Sequence, residues 1–182
     1  MYLLALFFKN IKTMSCTLTT GRIIPCKAAF GGIRKVYFAD YGSIDDVIVD
    51  PITKEATIDP NSPVPKWYQY DVKGNSSLET TVTSSRENGT TFYTQTLNLT
   101  LTYLDAKTQA ELQTIAVARP YVVVEDYYGN LFLCGYENGM ELTGGTVVTG
   151  AAAGDLSGFT ITMEGMEEVA PYFITGSFNP QT

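Results

Sequence analysis

Six carboxylates crowd one stretch of the chain: Asp40, Asp45, Asp46, Asp50, Glu55 and Asp59. A calcium loop needs acids at alternate positions around a central glycine, and this spacing does not supply them. They read as solvated loop acids. Glu164, Glu167 and Glu168 are close enough in sequence for a carboxylate pair in acid–base work. No partner group accompanies them, so a surface position is the simpler reading. Histidine is absent. That removes the commonest general base and the commonest metal ligand, and no Ser–His–Asp triad can be built. The cysteines, Cys16, Cys26 and Cys134, form no CxxC pair and have no histidine to complete a zinc site. A Cys16–Cys26 disulfide fits this set. Buried free thiols in a protein made in a reducing cytoplasm fit it more simply.

The glycine-rich stretches are equally silent. Gly144-Gly145 and the run from Gly150 to Gly154 match neither GxGxxG nor GxxxxGK, and there is no GxSxG elbow. Tyr127, Tyr128 and Phe132 could stack on single-stranded nucleic acid, but core or interface packing suits an acidic chain better. The sequons at Asn75, Asn88 and Asn98 matter only in a eukaryotic secretory setting, for which nothing speaks. The residues therefore predict no enzyme, no cofactor and no metal.

The elements that position these residues are predominantly strands. Of 182 residues, 45% are hydrophobic and only 17% charged, and the apolar set is rich in Tyr (12) and Phe (9). Such residues suit a pleated, half-buried surface. The length predicts one domain, residues 14–182, with an appendage. A net charge of −7 argues against gripping nucleic acid through phosphate neutralisation, and Arg34-Lys35 is too small a basic group for a groove.

Residues 36–41 (VYFADY), 47–49 and 67–72 read as short strands. Residues 50–65 hold four prolines and read as a long loop or arm. The strongest feature is a hairpin: Ser77–Ser85, a turn at Arg86-Glu87-Asn88-Gly89, then residues 91–103. With period two, Tyr93, Leu97, Leu99 and Leu101 face one way, while Thr94, Thr96, Asn98 and Thr100 face the other. The first arm presents Ser77, Glu79, Thr81, Thr83 and Ser85 on one face. One helix follows, with Asp105 as N-cap and a stripe of Leu112, Ile115 and Ala116. Residues 121–126 and 131–136 form a second hairpin about the turn 127–130. The glycine runs at 144–145 and 150–154 read as connections. Residues 157–164 are a last strand with Phe159, Ile161 and Met163 on one face, and the tail from Pro171 reads as irregular.

Residues 2–8 (YLLALFF) are too short to span a bilayer, and Lys9 and Lys12 lie on the wrong side of them for a secretory signal. The expectation is that Met14 initiates and residues 1–13 are dispensable. A docking arm burying Leu3, Leu4 and Phe7 against a neighbour is the alternative.

The stretches FYTQTLNLTLTY, DAKTQAELQTIAVARP, YVVVEDYYGNLFLCGY and LSGFTITMEGMEEVAP succeed one another between Phe92 and Pro171. In order and texture they resemble the tail-tube proteins of long-tailed bacteriophages. The segment from Cys16 to Lys27, with Gly31-Gly32 and Val36-Tyr37-Phe38, resembles the start of virion structural proteins of phages infecting Bacteroidetes-type hosts. The resemblance implies a mainly β fold, a β-sandwich or barrel with one flanking helix and a protruding hairpin. It also implies hexameric rings that stack into a virion tail tube through which DNA is ejected. The partners would be further copies and other tail proteins, with no membrane and no specific DNA binding. Ser77, Glu79, Thr81, Thr83, Ser85, Thr94, Thr96 and Asn98 would then be the assembly and lumen residues. The N-terminal segment and residues 50–65 exceed a minimal tube subunit. A head–tail adaptor or tube terminator is the first alternative, and a secreted carbohydrate-binding or adhesin-like sandwich the second.

Overall fold

The computed structural model describes residues 21, 30–59, 65–72, 74–175 and 180–181. Residues 1–13, Met14, Cys16, Cys26 and part of the proline-rich stretch (60–64) lie outside the described residues.

The described residues build twelve strands and one helix. These are β1 (Ile33–Ala39), β2 (Val47–Val49), β3 (Ala56–Ile58), β4 (Trp67–Asp71), β5 (Ser77–Ser85) and β6 (Thr90–Thr102), then α1 (Ala106–Val117), then β7 (Tyr121–Asp126), β8 (Leu131–Cys134), β9 (Glu141–Val148), β10 (Gly158–Glu167), β11 (Tyr172–Ile174) and β12 (Pro180–Gln181). One sheet has eight strands in the order β12-β4-β1-β7-β8-β11-β3-β2, and the other has four in the order β5-β6-β10-β9. The mainly β sandwich with one helix is as the sequence implies. The eight-stranded sheet does not close into a barrel: β12 and β2 end it without pairing to each other.

The two sheets meet over one core. Val36, Phe38, Val122 and Val124 from the large sheet pack with Leu97, Leu99, Leu101, Phe159, Ile161 and Met163 from the small one. Alternation along β6 and β10 turns these residues inward together, in register as Leu99 opposite Ile161 and Leu97 opposite Met163. The helix closes one flank of this core with Leu112 and Ile115. Asp105 caps it, its carboxylate accepting from Thr108 N–H at 3.2 Å. Those backbone donors hold the carboxyl below the usual range. Ala116 is exposed, so the apolar stripe is narrower than its spacing suggested.

A second cluster fills the other face of the large sheet, with Tyr37, Tyr121, Val123 and Leu133 alongside Val47 and Ala56 from one end and Trp67 from the other.

Three local readings change. The stretch 50–65 contains strand β3, which pairs with β2 and, in parallel, with β11. Gly144 and Gly145 lie inside β9 rather than in a connection. A Cβ at Gly145 would sit 3.1 Å from Thr160 O, a tight fit that favours glycine there. The tail forms strands β11 and β12. At the start of β10 a Cβ on Gly158 would stand 2.1 Å from Leu101 O, so only glycine lets β6 and β10 approach.

Candidate assembly face

β5 and β6 pair antiparallel from Ser77 opposite Asn98 to Ser85 opposite Thr90, about the turn at residues 86–89. β10 continues the sheet only from Thr102 to Tyr93. Beyond Tyr93 the hairpin stands clear of β10, and Val82, opposite Tyr93 at that limit, is 56% exposed. Among the described residues, β5 and β9 each have a single neighbour and are the two open edges of this sheet.

The predicted lumen residues share one face. Register sets Ser77 beside Asn98, Glu79 beside Thr96 and Thr81 beside Thr94. β10 extends the rows with Thr162 beside Asn98 and Glu164 beside Thr96, and β9 adds Glu141 beside Glu164. Ser77, Glu79, Thr81 and Thr83 are exposed, whereas Ser85, Thr94, Thr96 and Asn98 are half-buried between neighbouring strands. Side chains tie the rows together: Thr162 Oγ1 donates to Asn98 Oδ1 at 2.9 Å, and Thr146 and Thr160 share a hydroxyl–hydroxyl bond.

Three glutamates, Glu79, Glu164 and Glu141, occupy one cross-strand row, and no Lys or Arg stands on this face. Arg119 reaches Glu141 from outside the sheet at 3.9 Å, and both side chains are more than half exposed. Such a pair contributes little and leaves the row acidic. Alternation also places Phe92 and Met166 on this face, opposite Thr83 and Thr94. The period-two pattern contained them, but the threonines around them masked the signal.

The inward face holds two polar residues that sequence reasoning did not place. Gln95 is 2% exposed, and its Oε1 accepts from Gly135 N–H at 3.0 Å. Glu167, read as a surface acid, is also 2% exposed. Its oxygens accept from Glu137 N–H at 2.9 Å and Asn138 N–H at 3.0 Å, closing the turn after β8. Burial pushes its pKa up, against the downward pull of those two donors. In the same turn Gly139 takes φ +79°, and a Cβ there would meet Arg119 O at 2.6 Å.

The residues weighed for chemistry are not brought together. Cys134 is wholly buried, and burial pushes its thiol far above the range in which a reactive thiolate forms. Tyr127 and Tyr128 are 45% and 66% exposed, so they are surface residues rather than core. Among the described residues no cluster of three His, Cys, Asp or Glu is placed to hold a metal ion. No helix there is long and apolar enough to cross a membrane. No protein-family model matches the chain, and neither a curated protein nor a solved structure matches it.

Proposed function

We propose that this chain is a structural, non-enzymatic virion protein, a tail-tube subunit whose copies join edge to edge into rings that stack into a conduit for DNA. One observation carries the reading. It is a four-stranded sheet open at both edges, whose own strands carry Thr, Ser, Asn and Glu but no basic residue on the outward face.

All pairings in that sheet are antiparallel, so its two edge strands run in opposite directions. Cyclic symmetry keeps every copy in the same sense, so β5 of one copy meets β9 of the next antiparallel. That contact is a regular ladder needing no rearrangement, and it removes two exposed edges per copy. Six copies, the number in the family the sequence resembles, would form a barrel of about 24 strands. At ~4.8 Å between strands and a tilt of about 40°, its backbone diameter is roughly 50 Å, wide enough for a DNA duplex. The acidic row would then form a negative band around the bore. Phosphates passing within a Debye length of about 8 Å would be repelled rather than held.

Thr81→Lys tests the lumen. Thr81 is exposed on the outward face, so the variant is expected to fold and assemble like the wild type. Electron microscopy should show rings or tubes for both proteins. Only the variant should retain duplex DNA, with retention falling steeply as salt rises. Tubes of the variant that pass DNA unhindered would place Thr81 outside the bore. Rings that never stack would instead indicate an adaptor or terminator.

A further inference from the structure

The core between the sheets is closed at one flank and open at the other. Under β9 the helix α1 covers it. Under β5 there is a groove of about 490 Å³ walled by Ile33, Leu78, Val124, Phe132, Pro171 and Phe173. Ile33 and Val124 belong to the buried core, and Leu78 and Phe132 pack against it, so the groove is the open end of that core. Phe173, 51% exposed, packs against Phe132 at its rim, ring centres 4.7 Å apart. The one charged residue lining it, Asp126, has its carboxylate committed to the β7–β8 turn, accepting from Tyr128 N–H, Asn130 N–H and Asn130 Nδ2.

The opposite flank presents an apolar surface to match. On the core side of β9, Val147 is 61% exposed and Leu142 half-buried, and at the end of α1 Val117 is 87% exposed. The cleft between α1 and β9 contains no charged side chain. Largely apolar surface thus lies beneath both open edges of the same sheet, on the same side.

We infer that the groove beneath β5 is a socket for a second copy of this chain, filled by the β9–α1 flank of the neighbour. This rests on the edge-to-edge reading above and extends it: the neighbour supplies side chains as well as a strand. A contact made by backbone alone would leave Val147 and Phe173 in water. Seating one flank under the other removes both from water and joins the separate cores into one continuous apolar layer behind the barrel. Asp126 is the one ion at the contact and keeps its hydrogen bonds within its own turn, and the facing cleft adds no further charge to desolvate.

Photo-crosslinking tests this on the full chain. With p-benzoylphenylalanine in place of Phe173, mixed isotope-labelled and unlabelled copies are assembled, irradiated and mapped by mass spectrometry. Crosslinks between copies to residues 106–117 or 141–148 are the expected result. Crosslinks to residues 1–20, or to any other surface, would overturn the socket while leaving ring formation standing. Failure of the unmodified chain to assemble would defeat both. Val147→Glu gives a second reading, because so exposed a position should leave the monomer folded. Its assembly concentration is expected to rise at least tenfold, and an unchanged value would contradict the inference.

Discussion

Leu99→Asp is expected to unfold the subunit. Leu99 is 1% exposed, pairs across the ladder with Ile161, and sits at the centre of the cluster joining the two sheets. Truncating a buried leucine costs about 2–5 kcal/mol through lost transfer energy and the cavity left behind. A carboxylate there adds desolvation of a charge with no cation in contact, worth several kcal/mol more even after it takes up a proton. Domains of this kind are stable by about 5–15 kcal/mol, so the sum reaches the total. Circular dichroism should show no cooperative thermal transition. A folded variant melting within a few degrees of the wild type would mean that the two sheets do not share this core.

Glu167 should be the most consequential carboxylate in the chain. Glu167→Ala removes the acceptor for two backbone N–H groups in the turn after β8. Two orphaned donors cost about 2–5 kcal/mol together. Glu167→Gln keeps the shape and isolates the charge. Burial leads the upward shift of the Glu167 pKa, with Glu137 and Glu168 adding to it. A folded-state value above the unfolded one, about 4.3, means the folded protein binds the proton more readily. The contribution is then full below the unfolded pKa and is lost as pH rises through the folded one. Urea midpoints measured at several pH values should therefore show the wild type gaining on the Gln variant as pH falls. A gap that widens in favour of the wild type as pH rises would show that the two N–H donors outweigh burial.

Legibility followed locality. The β5–β6 hairpin and its turn, the Asp105 cap and the β7–β8 hairpin are written in contiguous residues: an Asn-Gly turn, strict alternation, a capping carboxylate. The polar rows followed as well, because period two assigns Thr94, Thr96 and Asn98 to one face once β6 is recognised. β3 was hidden although β2 pairs with it locally, because the strand has only three residues within a proline-rich stretch and its other partner, Ile174, is distant in sequence. Gly144 and Gly145 read as a connection because glycine weakens strands in general. Here an edge position and the close approach to Thr160 accommodate them. Glu167 looked like a surface acid because the N–H groups it serves lie some 30 residues earlier. The groove beneath β5 has no sequence signature, since its walls come from β1, β5, β7, β8 and β11.

The central claim is that β5 and β9 are completed by one another between copies. Hydrogen–deuterium exchange on dissociated and assembled protein tests it at the backbone. In a β-strand every second amide points to the same edge, so about half the amides of Ser77–Ser85 and of Glu141–Val148 should slow by at least tenfold on assembly. Amides of β10 and of residues 93–102 in β6, already flanked by strands on both sides, should change little. Equal protection of β5 and β9 in the two states, or a chain that stays monomeric at every concentration, would contradict the account.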